Sequence, residues 1–262
     1  MSKLSGVALI TGASAGIGAV YADRLAHRGL DLVLVARDRA KLEILASRLR
    51  GETGRHVEVI SADLTDPADL AAIEDRLAKA DIAVLVNNAG AANLLPLSEM
   101  TRERIDTMIT LNVLALTRLT HAALPGLITH KGAVINIGSV VSVLHRPGNQ
   151  IYSGTKAYVS AFSDSLAQEL EPQGVRVQAV LPGVTRTDLW NSAGADISAF
   201  PDSAVMSAED MVDAALAGFD LGETVTVPSL PDTADWQAFT AARMALIPNL
   251  SHKKPAARYA VS

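Results

Sequence analysis

The chain has 262 residues, of which 49% are hydrophobic but only 4% aromatic; it carries a formal net charge of −5 and contains no cysteine. An acidic balance argues against a nucleic-acid or anionic-membrane partner, either of which needs a basic face. The missing thiols exclude disulfides, thiolate metal sites and a cysteine nucleophile.

So few aromatics leave Ala, Val, Leu and Ile to build the core, as in parallel sheets buried on both faces, and this favours an α/β class. The length suits one α/β domain. Met1-Ser-Lys-Leu-Ser leads straight into a strand without the apolar run of a signal peptide, and no stretch reads as the roughly 20 apolar residues of a membrane span. The expectation is a cytoplasmic protein with no membrane partner.

Val7–Thr11 reads as a strand, followed by Gly12-Ala-Ser-Ala-Gly16-Ile-Gly18 and an Ala-rich helix through Arg28. Strand, glycine loop and helix together form the phosphate-cradling arrangement, in which glycines let the backbone approach a pyrophosphate and the helix N-terminus offers N–H donors. Leu30–Ala36 is a second strand that ends at Arg37-Asp38, before a charged helix to about Arg50. A carboxylate in this region of a nucleotide fold holds the adenine-ribose 2′-hydroxyl, whereas arginine accommodates a 2′-phosphate. Arg37 therefore points to NADP(H), while Asp38 has a helix cap or a pairing with Arg37 as its simpler roles.

His56–Ile60 is a third strand ending near Asp63, a cap or an adenine contact, and Pro67 opens a helix. Ile82–Val86 is a fourth strand running into Asn87-Asn-Ala-Gly90, whose asparagines read as backbone or ribose hydrogen-bonders. Met108–His121 is an apolar-periodic helix with Asn112 in its middle, where an asparagine needs a role for its side chain. Ala133–Ile137 is a fifth strand that delivers Ser139 at its carboxyl end, where open α/β sheets bind ligands.

Thirteen residues on, Tyr152 and Lys156 are one helical turn apart on what reads as a new helix, so their side chains share a face. A phenol has a pKa of roughly 10, and a cation beside it should lower that value by roughly 1–3 units, making Tyr152 a usable proton donor. Val175–Leu181 is a sixth strand and Pro182–Thr187 a turn. Residues 188–206 show no sustained period and read as a substrate lid. Val225–Val227 is a short seventh strand, Thr233–Ala245 a helix, and Ser251 onward a basic tail. No linker or repeat interrupts the chain, which reads as one domain over residues 1–262.

Together, Thr11-Gly-Ala-Ser-Ala-Gly-Ile-Gly18, Asn87-Asn-Ala-Gly90, Asn112, Ser139, Tyr152-x3-Lys156 and Pro182-Gly183 resemble the short-chain dehydrogenases/reductases in order and spacing, over residues 6 to about 230. The resemblance implies a Rossmann-type, doubly wound parallel sheet of seven strands in the order 3-2-1-4-5-6-7, in a three-layer αβα sandwich. It implies a catalytic tetrad of Asn112, Ser139, Tyr152 and Lys156. In the cofactor site it implies Gly12, Ser14, Ala15, Gly16, Ile17, Gly18, Arg37, Asp63, Leu64, Asn87, Ala89, Gly90, Pro182, Gly183, Val184 and Thr187, beside Tyr152 and Lys156. Asn112 is expected to hold a water next to Lys156. The implied activity is hydride transfer between NADP(H) and a ketone, aldehyde or alcohol, commonly in a homotetramer or homodimer. A nucleotide sensor on the same sheet is the alternative, and an epimerase is disfavoured by the short C-terminal region. Val140, Val141, Leu144, Leu189 and Trp190 suggest an apolar substrate pocket, His145 a polar contact within it, and no histidine–carboxylate cluster suggests a metal.

Overall fold

The computed structural model describes residues 5–145, 147–194 and 196–259; Met1–Leu4, Arg146, Ala195 within the expected lid, and Ala260–Ser262 at the end of the basic tail lie outside them. The chain divides into two compact units, Met1–Pro228 and Ser229–Ser262. The break falls where the sequence shows no linker.

The first unit is built on seven parallel strands: β1 (Val7–Thr11), β2 (Asp31–Ala36), β3 (Val57–Ser61), β4 (Ile82–Asn87), β5 (Ala133–Ile137), β6 (Arg176–Val180) and β7 (Val225–Thr226), in the order β3-β2-β1-β4-β5-β6-β7. Strands buried on both faces must be apolar at odd and even positions alike, and the two faces divide as a period of two requires. Ala8 and Ile10 of β1 and Leu32 and Leu34 of β2 pack on one side, with α1 (Gly16–His27) and α2 (Arg39–Thr53). Leu9, Val33 and Val35 pack on the other, with α3 (Pro67–Leu77) and the later helices α5 (Leu116–His130) and α6 (Gln150–Leu170). The connections leave β1 toward β2 first and toward β4 afterwards, so a crevice opens beyond the carboxyl ends of these strands.

The helix expected over Met108–His121 is longer. It starts at α4 (Arg102–Ile109), where the Thr101 hydroxyl accepts from Arg104 N, passes through a π-helical turn at Thr110–Ala115, and continues as α5 with Pro125 inside it. The run Arg102–His130 is long and apolar enough by length and composition to cross a membrane, contrary to the sequence reading, but 44% of its most apolar window is buried inside the protein. Core helices pass the same test.

Part of the expected lid is helical. It holds α7 (Leu189–Ala193) and two single 3₁₀ turns, Ile197–Ala199 and Asp202–Ala204. It leads into α8 (Ala208–Leu221), a helix not read from the sequence, capped by the Ser207 hydroxyl accepting from Asp210 N at 2.9 Å. Met211, Val212, Ala215, Leu216 and Phe219 of α8 complete the core beside α1. The second unit contains α9 (Thr233–Met244), capped by Asp232, and 3₁₀ turns at Ile247–Asn249 and Ala257–Tyr259.

A polar thread crosses the sheet. Asn87 Nδ2 donates to Asn136 Oδ1 and Thr120 Oγ1, each at 2.9 Å, and Asn136 Nδ2 donates to Ser163 Oγ at 2.9 Å. Asn136 is fully buried, so Asn136→Ala strands a donor on Asn87 and an acceptor on Ser163. Urea unfolding should show a loss of about 2–3 kcal/mol, the usual cost of buried groups left unpaired.

Candidate active site

The site is built on the loop after β1. Gly12 and Gly16 have φ of 65° and 53°, a backbone region that L side chains rarely adopt. A Cβ on Gly18 would lie 2.3 Å from Gly12 O and 2.5 Å from Asn88 Nδ2. Glycine is therefore required where the loop folds back on the first turn of α1.

Thr11, read from the sequence as a strand end, and Asn88, one of the asparagines expected to bond backbone or ribose, hold this loop. Thr11 Oγ1 accepts from Asn88 N and Ala89 N at 3.0 Å each, and Asn88 Nδ2 donates to Thr11 O at 2.9 Å and to Gly12 O at 3.2 Å. The cradle after β1 is thereby fastened to the end of β4.

In front of the cradle lies a cleft of about 910 Å³, lined among others by Gly12, Ser14, Ala15, Arg37, Asp63, Leu64, Ala89 and Gly90. These are eight of the expected nucleotide contacts. Lys41, Thr107, Met108, Leu111 and Asp188 line it as well and were not foreseen. Arg37 is exposed at the rim. Asp38 caps α2, accepting from Lys41 N at 3.0 Å, with its second oxygen 3.8 Å from Lys41 Nζ. Asp63 does not cap α3; Asp66 does, through Ala68 N and Asp69 N. Asp63 Oδ1 instead accepts from the Thr65 amide and hydroxyl at 2.9 and 2.7 Å. Burial acts to raise the Asp63 carboxyl, but those two hydrogen bonds and the nearby charge of Arg37 hold it below the usual carboxylate range.

The four expected catalytic residues converge beyond Gly90. A Cβ on Gly90 would lie 3.2 Å from Asn112 Oδ1 and 3.6 Å from Lys156 Nζ. Asn112 sits in the π turn, where its buried amide clamps Ala91: Oδ1 accepts from Ala91 N and Nδ2 donates to Ala91 O, both at 2.8 Å. Asn112 Nδ2 also donates to Thr155 Oγ1 at 3.0 Å. Both amide hydrogens are thus engaged within the protein, and the side chain acts first as a brace.

Ser139 caps a 3₁₀ turn at Val140–Ser142, with Oγ 3.3 Å from Val141 N and 3.4 Å from Pro182 O. Tyr152 is half-buried and Lys156 is 6% exposed. Lys156 Nζ donates to Ile137 O at 2.8 Å and lies 5.7 Å from the centre of the Tyr152 ring.

This geometry corrects the expected acidity. Burial pushes the Tyr152 phenol up to about 12, against a lowering by its hydrogen bond with Ser139. Burial pulls Lys156 down to about 8. The ammonium was expected to lower the phenol, but desolvation disfavours both charged forms and outweighs the neighbour effect.

Other expectations resolve less favourably. The Asn87 side chain turns into the Asn136 network and does not line the cleft. A Cβ on Gly16 would lie 3.1 Å from Thr187 Cγ2, Ile17 packs on the core, and Pro182 O accepts from Val140 N at 3.0 Å; of these expected cofactor positions, Gly16, Ile17, Pro182 and Thr187 do not line the cleft. Gly183 and Val184 continue that turn, with Val184 O accepting from Met206 N at 2.9 Å. Val141 and Trp190 are partly buried, as is Leu189, while Leu144 and His145 are exposed. None of these substrate candidates lines the nucleotide cleft.

A model of the short chain dehydrogenase family matches residues 6–198. Human 17-beta-hydroxysteroid dehydrogenase type 3 is 37% identical over 183 residues, which cover 69% of this chain but 59% of that protein, so the match spans less than two thirds of the relative. Among solved structures, a short-chain dehydrogenase from Sphingobium yanoikuyae in complex with NADPH is 50% identical with a TM-score of 0.94, covering 97% of this chain and all of the other. The bulky-bulky ketone specific alcohol dehydrogenase from Comamonas testosteroni is 42% identical with a TM-score of 0.89, covering 98% and 99%.

The buried lysine has a signature in stability. Its folded value of about 8 lies below that of an unfolded lysine, so between those values the unfolded chain binds more protons and stability rises with pH. The stabilisation is complete above the unfolded value and is lost as pH falls through about 8. Thermal midpoints of wild type relative to Lys156→Met should therefore climb from about pH 8 to about pH 10, below the range where the raised Tyr152 phenol acts in the opposite sense. A flat difference would contradict the burial of an ammonium at this position.

Proposed function

The chain belongs to the short-chain dehydrogenase/reductase family, and on that premise we propose that it catalyses reversible hydride transfer between NADP(H) and a ketone or secondary alcohol. The observation carrying this reading is the grouping of Ser139, Tyr152 and Lys156, the last of them beside Gly90, which lines the glycine-cradled cleft.

The cradle fits a dinucleotide, since Gly12, Gly16 and Gly18 let the loop fold tightly ahead of α1, the arrangement in which loop amides and a helix N-terminus receive a pyrophosphate. Ser14, Ala15, Leu64, Ala89 and Gly90 would hold the nucleotide along the cleft, with Arg37 at the 2′-phosphate. Asp38, which elsewhere would select a free ribose hydroxyl, is engaged in capping α2. When bound, NADPH supplies the hydride.

The protein's own groups manage the proton. Ser139 Oγ is placed to donate to a carbonyl oxygen. Tyr152, with its value raised to about 12, keeps its proton at neutral pH and gives it up to a developing alkoxide, a stronger base than any phenolate. Lys156 then stabilises the phenolate left behind, and in the reverse direction that phenolate takes the alcohol proton. Asn112 keeps Ala91 and Thr155 in place around this group.

For the substrate, the apolar side chains of Val141, Leu189 and Trp190, and the ketone specificity of the Comamonas relative, support a bulky apolar ketone. Trp190 is held by its indole N–H donating to Thr185 O at 2.7 Å and by Phe200, with ring centres 5.3 Å apart. Residues 188–206 then act as the substrate lid.

Two measurements test the reading. Tyr152→Phe should lower kcat for NADPH-dependent reduction of an aryl ketone by about 10²–10⁴-fold, with NADPH affinity within about two-fold of wild type; an unchanged kcat overturns the proton-donor role. Arg37→Ala should weaken NADPH at least about tenfold and NADH hardly at all, because a charge-assisted phosphate contact is lost. Equal losses would refute the 2′-phosphate assignment.

A further inference from the structure

Asn93 brings an uncommitted donor to the nucleotide cleft. It lines that cleft from the loop leaving β4, and it is only 6% exposed. Its Oδ1 accepts from Leu95 N at 3.2 Å, a bond that fixes which end of the carboxamide is oxygen. The Nδ2 end makes no hydrogen bond among the described residues and is not sealed from solvent. The turn to Leu95 does not by itself call for asparagine, since aspartate or serine would accept from the same amide. What asparagine adds is a pair of N–H donors.

The loop holds this donor in place. Two residues earlier, both backbone groups of Ala91 are clamped by Asn112 at 2.8 Å each. One residue later, Leu94 O lies 3.7 Å from where a Cβ on Gly148 would stand. A donor fixed in this way loses little further freedom when it is used. A ligand that fills the cleft displaces water from Nδ2, and a buried donor left without an acceptor is costly. The ligand must therefore supply the acceptor.

We propose that Asn93 Nδ2 donates to an anionic oxygen of the pyrophosphate of the bound dinucleotide, as a cofactor contact separate from the glycine loop. The inference rests on the dinucleotide reading given above. Asn93 lines the same cleft as Ser14 and Ala15 of that loop, where the pyrophosphate is expected. Its position also sets it apart from the 2′-phosphate. Arg37 follows β2 and Asn93 follows β4, two strand positions apart in the order β3-β2-β1-β4, which is roughly 10 Å at the sheet. The contact accordingly falls on a portion that NADP(H) and NAD(H) share.

The test reads binding to the full chain from the fluorescence of NADPH and of NADH, without turnover. Asn93→Ala should raise both dissociation constants by one common factor of at least about ten, the effect of losing a hydrogen bond to a charged group, whereas Arg37→Ala separates the two cofactors. Asn93→Asp keeps an acceptor for Leu95 N but sets a carboxylate against the phosphates, and should raise both constants by about 100-fold. If Asn93 served only to form the turn, Asn93→Asp would bind like wild type; that result, or wild-type affinity in Asn93→Ala, overturns the proposal. Unchanged cofactor affinity with a raised KM for the ketone would place the donor on the substrate and overturns it as well. A wild-type protein that binds neither cofactor would refute the dinucleotide reading itself, an outcome distinct from variants that match a wild type that binds. Should Asn93→Asp fail to fold by circular dichroism, Asn93→Ala decides.

Discussion

The Thr11 hydroxyl is the fastening on which the site depends. It accepts from two consecutive amides, Asn88 and Ala89, and donates to Val86 O at 3.3 Å, so one side chain at the end of β1 fixes the path of the chain leaving β4. Asn88 returns the contact to Thr11 and Gly12. From there the linkage runs on without a gap. Ala89 and Gly90 lead to Ala91, Ala91 is clamped by Asn112, Asn112 donates to Thr155, and Thr155 Oγ1 donates to Tyr152 O at 2.9 Å. The glycine loop and Tyr152 therefore belong to one hydrogen-bonded frame. A buried frame of this kind is stable only when its members are satisfied together, which is why small residues and amides recur along it.

That frame also explains the acidities. Packing Lys156 between Gly90, Ile137 O and the Tyr152 ring removes water from both ionisable groups, and each shifts toward its neutral form. A phenol that resists ionisation holds its proton until a stronger base develops beside it. The same burial brings the lysine close to its titration point near neutrality, so modest changes in its surroundings alter its charge.

Most of the fold was legible because its rules are local. The seven strands could be read to within a residue or two from apolar runs, and the glycine loop from its place after the first of them. What escaped involved partners far apart in sequence. Asn87 and Asn88 are adjacent, and only their register with Asn136 and Thr11 shows that the first faces the interior and the second the cradle. Thr11 looked like the last residue of a strand. The phenol was misjudged because spacing reveals a neighbouring charge but not the water lost around it. The helix α8, by contrast, was there to be read: its apolar residues repeat at helical spacing behind a serine cap, obscured by the aperiodic stretch before it.

The segment after β6 follows a different logic from the glycine loop. The segment after β6 is pinned at both ends of its excursion: Arg186 N donates to Met206 O, Met206 N donates to Val184 O, and the Trp190 indole reaches back to Thr185 O. Between those pins the described residues form α7 and two single 3₁₀ turns. Short elements held at their base can change length and side chains without disturbing the sheet, the property that lets binding loops vary on a fixed scaffold. Val184 and Thr187 stand at the anchored end, Thr187 against Gly16 of the cradle. The anchored end of this segment therefore lies against the glycine loop after β1.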